Sequence, residues 1–154
     1  MNAAGISPRN LRLELLESTL IDDDSSIIVD NVHRLIAAGF SVELDDFGTG
    51  HAAIATLRKF AVSRIKVDRS LVRGISEDQE LQVITGAIIG LADRLGVKVL
   101  AEGVETQAEQ DMIHQLGCDC VQGYLHARPM PLDELEKWVV ARQSTIAGAG
   151  CPPD

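Results

Sequence analysis

No apolar run in this 154-residue chain approaches the roughly 20 residues that a membrane span needs. The N-terminus has no basic stretch followed by an apolar one, the pattern of a secretory leader, so a cytoplasmic protein is expected. Cysteine is scarce, and three residues, an odd number, do not suggest a disulfide framework. Cys118 and Cys120 lie two apart, which is not the spacing of a CxxC redox or zinc motif, so a packing role on a strand is expected. Basic residues are outnumbered 14 to 23, giving a formal net charge of −9. Such a surface repels nucleic-acid phosphates and anionic lipid, which excludes both as general partners. It also repels an anionic small substrate, unless bound metal ions reverse the sign locally.

The length suffices for one domain with a real core, and the hydrophobic fraction of 45% is ordinary for a globular chain. The rest of the chain is arranged around Ser41-Val-Glu-Leu-Asp-Asp-Phe-Gly-Thr-Gly50. Val42 and Leu44 alternate with Ser41 and Glu43, the period of a strand. Asp45 and Asp46 follow where the strand stops, and two adjacent ionised carboxylates are most easily held by a divalent cation. Gly48 and Gly50 free the backbone to turn sharply. Alone, this stretch would be an ordinary Asp-rich turn.

Similar constructions recur along the chain. Residues 10–17 alternate as a strand. A helix with Ile28, Val32, Leu35 and Ile36 at helical spacing follows an acidic turn at 22–24 and stops at Gly39. Residues 51–60 read as a short helix with Ile54 and Leu57 inward. Residues 62–68 read as a strand ending in charge. Ser76-Glu-Asp78 opens a long helix through Leu81, Ile84, Ile88, Leu91 and Leu95, closed by Gly96. Residues 97–103 form a strand ending in an acid and a glycine. Thr106 and Glu109 have the spacing of a capping box. Residues 118–121 form the last strand, and Pro131 begins a helix with Leu132, Leu135 and Val139 inward and Trp138 as an anchor. The segment 144–154 has the composition of a disordered tail.

Five strand–helix repeats predict an α/β fold with a parallel sheet covered by helices. Glu14, Asp45 with Asp46, Lys66 with Asp68, Glu102 and Gln122 fall at successive strand C-termini, which converge on one face in such folds. Carboxylates and an amide with no histidine are hard oxygen ligands, suited to Mg²⁺, Mn²⁺ or Ca²⁺ rather than zinc. Carboxylates holding two metals beside a lysine suit phosphoester hydrolysis, with Lys66 placed to position or deprotonate water. Each position has a plainer reading: Glu14 a half-exposed strand residue, Lys66 a structural partner of Asp46, Glu102 a helix cap, Gln122 a buried amide.

Asp45-Asp-Phe-Gly-Thr-Gly50, Ile65-Lys-Val-Asp68, Ala101-Glu-Gly-Val-Glu105 and Gln122-Gly-Tyr-Leu125, in this order and preceded by Leu13-Glu-Leu-Leu-Glu17, resemble the EAL domain of cyclic-di-GMP phosphodiesterases. The resemblance covers the chain to about residue 140 and implies a (β/α)₈ TIM-type barrel that linearises cyclic di-GMP with Mg²⁺ or Mn²⁺, Ca²⁺ acting as an inhibitor. It makes Glu14, Asp45, Asp46 and Glu102 metal ligands, with Asp45 bridging two metals. Lys66 joins Asp45, Asp46 and Glu102 as a catalytic residue, Gln122 and Asp68 hold water or substrate, and Glu17 anchors the loop from Phe47 to Ala53. Only the family's last five strands are matched. The Glu-Ala-Leu motif and the next strand's asparagine, both ligands of the first metal, are absent. Leu16 replaces a usual threonine, and His51-Ala52-Ala53 replaces an aromatic-Ser-Ser.

The expectation is therefore a truncated EAL domain over 1–143, an open partial barrel of about five βα units with reduced or no activity as an isolated chain. Five strands cannot close a barrel, and an open one is expected to expose two edges and an apolar interior. A two-fold homodimer would cover them. The alternative is a non-catalytic module that binds cyclic di-GMP or another protein.

Overall fold

The computed structural model describes residues 5–17, 25–48, 57, 60–118 and 120–143. The expected helix at 51–60, apart from Leu57 and Phe60, the acidic turn at 22–24 and the tail at 144–154 lie outside them. Five strands form one parallel sheet in chain order: β1 (Arg12–Leu16), β2 (Ser41–Phe47), β3 (Arg64–Val67), β4 (Lys98–Glu102) and β5 (Cys120–Gln122). Parallel neighbours need a crossover, supplied between β1 and β2 by α1 (Ser25–Ala37), between β3 and β4 by α2 (Gln79–Leu95) and between β4 and β5 by α3 (Gln107–Gln115). A last helix, α4 (Leu132–Gln143), follows β5. The expected α/β fold is the one observed.

Capping chemistry sets the helix ends. The Asp78 carboxylate accepts hydrogen bonds from Glu80 N at 2.9 Å and Leu81 N at 3.1 Å, opening α2. Gly96 closes that helix in the left-handed conformation, φ 69°. Thr106 and Glu109 make the expected capping box at α3. Glu109 also accepts a hydrogen bond from Gly74 N at 2.9 Å, so one buried carboxylate ties the start of α3 to the turn before α2. Burial alone would raise its pKa, but the bonds from Gly74, Glu105 and Thr106 hold it below the usual range.

Strand alternation divides the sheet into two unlike faces. Val42, Leu44, Ile65, Val67 and Ala101 point to the helices and are buried with Val32, Ile89, Ala92 and Ile113. The register sets Glu14 beside Glu43, Glu43 beside Arg64 and Arg64 beside Lys98 on the opposite face. Arg12, Ser41, Asp45, Lys66, Glu102 and Gln122 share that face by the same alternation. This corrects the expectation of an apolar interior. The apolar residues of each strand are spent on the helix side, and among the described residues only Leu16, Leu100 and Cys120 interrupt the polar face. Glu43 and Arg64 form an ion pair at 2.8 Å, both side chains 6% exposed, and Arg12 approaches the same carboxylate at 3.3 Å.

Three further expectations change. In α2 the buried positions are Thr85, Ile89 and Ala92, while Ile84 and Leu95 are exposed. The helix is rotated so that Thr85 can donate to the Leu71 carbonyl at 3.0 Å, which satisfies a buried hydroxyl. In α4, Leu132, Leu135, Val139 and Val140 are exposed, because no element of the described chain lies over that face closely enough to cover them. Its Trp138 stacks under Arg142 at 4.8 Å. Cys118 is a buried thiol, as expected, but Cys120 is disulfide-bonded.

A glycine locks the last two strands together. A Cβ on Gly123 would lie 2.0 Å from the Val104 carbonyl oxygen and 2.4 Å from its nitrogen. Substitution must therefore move backbone rather than a side chain. Gly123→Ala is expected to lower unfolding free energy by about 2–4 kcal/mol in urea titration, an overpacking cost. Gly90→Ala, on an open helical position with nothing within 4 Å, is expected to raise it by up to about 1 kcal/mol.

Candidate metal centre

Adjacent strand residues point to opposite faces, so Asp45 and Asp46 in a regular strand could not serve one site. β2 breaks that rule at this point. Leu44 pairs with Ile65 and Phe47 with Val67, so three residues of β2 span two of β3. The extra residue is a bulge, and Asp46 sits in the left-handed region at φ 54°. Aspartate tolerates that conformation better than most residues. The bulge turns the second acid toward the first, and carboxylate oxygens of Asp45, Asp46 and Glu102 all come within 4.8 Å of one another. Among the described residues this group has the donor count and spacing for a metal ion.

Lys66 lies in the middle of the sheet on the same face, its side chain 7% exposed. Its ammonium reaches Glu14 at 2.7 Å, Asp45 at 2.9 Å and Glu102 at 2.8 Å. The structural partner in the acid pair is thus Asp45, not the Asp46 considered from sequence. Burial alone would push the lysine pKa down, but the hydrogen bonds to Glu102, Glu14 and Asp45 outweigh it and raise the value well above the ordinary 10.5. Glu102 is shifted up by burial, against the opposing pull of Lys66. A lysine held charged is a donor and a positioning group, not a base, in the metal-free protein.

The remaining residues sit around this cluster. Gln122 follows Glu102 across the β4–β5 register, and its carbonyl accepts from Val104 N at 3.2 Å. Glu17 is 1% exposed and accepts from Gly48 N at 3.1 Å, which fixes the first turn after the acid pair. The expected loop continues to Ala53, and its residues 49–53 lie outside the described part. Asp68 is placed differently from the cluster. Its carboxylate accepts from Ser70 N at 2.9 Å and caps the short turn Arg69–Leu71. Burial would raise its pKa, yet the Ser70 bonds hold it low. Sequence reading missed the bulge and the Glu43–Arg64 pair. The pair's signal was present, since both residues fall on the polar parity of their strands.

The EAL domain family model matches residues 1–129. The bifunctional diguanylate cyclase/cyclic di-GMP phosphodiesterase MucR of Pseudomonas aeruginosa is 38% identical over 131 residues, which is 84% of this chain and 19% of MucR. The chain therefore spans about a fifth of that relative's length. The solved PaMucR phosphodiesterase, a c-di-GMP complex, superposes with a TM-score of 0.80 at 36% identity, covering 87% of this chain and 54% of that one. Klebsiella pneumoniae BlrP1, solved with cyclic di-GMP and manganese or calcium, gives 0.78 at 34% identity over 83% of this chain and 32% of that one.

The Lys66 contacts predict a pH dependence. A raised lysine pKa contributes stability that is complete below the unfolded value and is lost as pH rises through the folded one. The stability difference between wild type and Lys66→Met is expected to be constant from about pH 7 to 10 and to shrink above. Urea titrations across that range check it.

Proposed function

The chain belongs to the EAL domain family, and on that premise we propose that residues 1–143 form the metal- and cyclic-di-GMP-binding portion of a phosphodiesterase domain. As an isolated chain it hydrolyses the cyclic dinucleotide slowly or not at all. The observation that supports this reading is the bulge-made convergence of Asp45 and Asp46 on Glu102. Three carboxylates within 4.8 Å are hard donors of the kind Mg²⁺ or Mn²⁺ takes. BlrP1, solved with manganese and with calcium, supports a divalent ion of this class.

A cation held there would neutralise charge on a phosphodiester and lower the pKa of water beside it. The chain's own residues do the rest. Lys66 offers N–H donors to a phosphate oxygen or to water. Gln122 offers an amide next to Glu102, and Glu17 holds the turn that carries the acid pair onward. Of the first metal's ligands this sequence has counterparts only in Glu14 and the bridging Asp45, and the Glu-Ala-Leu and asparagine ligands are not in it. Losing such ligands costs orders of magnitude in rate, because the reaction depends on where charge is placed.

The reading is tested with purified protein, cyclic di-GMP and Mg²⁺ or Mn²⁺, following the linear dinucleotide by chromatography with Glu102→Ala as control. Little or no product is expected. Turnover matching an intact domain would overturn the proposed loss of activity. Metal binding is tested separately by melting. At a metal concentration about 100 times Kd, wild type should gain about 2.7 kcal/mol. Asp45→Asn and Glu102→Gln should gain little.

Self-association is proposed in a two-fold pair that covers the open side of the partial barrel. The face it would cover is charged, so the pair should dissociate as salt rises. Sedimentation at low and high ionic strength reads this, and a dimer indifferent to salt would point to an apolar contact instead.

A further inference from the structure

We propose that Lys66 is a built-in competitor for the divalent cation, its ammonium standing between the carboxylates of Asp45 and Glu102 until metal displaces it toward Glu14. The inference rests on the reading of Asp45, Asp46 and Glu102 as cation ligands and adds what controls their affinity. Three observations carry it. The ammonium contacts two of the three clustered carboxylates at 2.9 and 2.8 Å, a cation's place among them. The side chain is 7% exposed, so its charge is little screened by water. Its third partner, Glu14 at 2.7 Å, stands outside the clustered trio and is 53% exposed, which gives the displaced ammonium a carboxylate to stay with.

A divalent ion and an ammonium a few ångströms apart repel strongly in a poorly screened site. The lysine and the metal therefore cannot both keep these contacts. Without metal, the lysine offsets the repulsion among the acids and holds them in place. With metal, it must yield, and the free energy of its ion pairs is subtracted from metal affinity. The chain would thus bind metal more weakly than its three carboxylates alone would.

Isothermal titration with Mg²⁺ and with Mn²⁺ tests this on wild type, Lys66→Met and Lys66→Arg, each checked for folding by circular dichroism. Lys66→Met is expected to bind roughly tenfold tighter or more, and Lys66→Arg no tighter than wild type. Metal binding by Lys66→Met but not by wild type would support the competition all the more. Equal or weaker binding by Lys66→Met, with wild type binding normally, overturns the competition and leaves the metal site standing. No binding by any of the three overturns both. A second measurement on wild type alone covers a variant that fails to fold. Reductive methylation of Lys66, read by peptide mass spectrometry against Lys137, should rise several-fold on adding Mg²⁺. Unchanged reactivity under saturating metal overturns the displacement.

Discussion

The repulsion among carboxylates at one edge of the sheet is the constraint that the rest of this structure answers. Glu14, Asp45, Asp46 and Glu102 come from three strands, and the parallel arrangement points all their C-terminal ends the same way. Without compensation the edge would splay or the acids would take up protons. Lys66 supplies the compensation from the central strand, where it can reach both sides. Its position is enforced from below and behind. Val67 and Ile65 bury against the helices, so the alternate residue of β3 has no choice of face.

The same logic extends down the sheet. One row beneath the site, Glu43 is met by Arg64 and Arg12, and the polar face becomes a ladder of alternating charge rather than an oily interior. Breaking one member of such a buried pair leaves an uncompensated charge costing about 3–5 kcal/mol, whereas replacing both with apolar residues can be neutral. The ladder is therefore poor evidence for stability but good evidence for a face that was never meant to hold lipid-like contacts. It also keeps the two faces distinct, since a one-residue slip would place charge against the helices.

Much of the fold was legible because strand parity and helix caps are local. The order of strands, the Gly96 stop and the Thr106–Glu109 box all follow from residues close in sequence. The parts that were not legible depend on distant partners. The rotation of α2 is set by Thr85 reaching the Leu71 carbonyl, which spacing alone does not reveal. The exposed face of α4 follows from what is not packed over it. At the site, the list of acids was readable, but their grouping was not. Two neighbouring aspartates on a strand should diverge, and only the unequal count between β2 and β3 makes them converge. Asp68 was grouped with the acids by its place at a strand end and by motif, while its local bond to Ser70 decides its place.

That unequal count has a consequence for how this segment can change over time. The extra residue shifts the phase of everything after it, so Phe47 pairs with Val67 on the helix side and is 2% exposed instead of facing the charged ladder. Core packing and acid geometry are thus set by one insertion. Substitutions at 45 and 46 can alter the chemistry while leaving the fold, but loss of a single residue there would restore the plain alternation, keep Phe47 opposite Val67 on the helix side and leave one acid where two now converge. The segment is free to vary in letters and fixed in length.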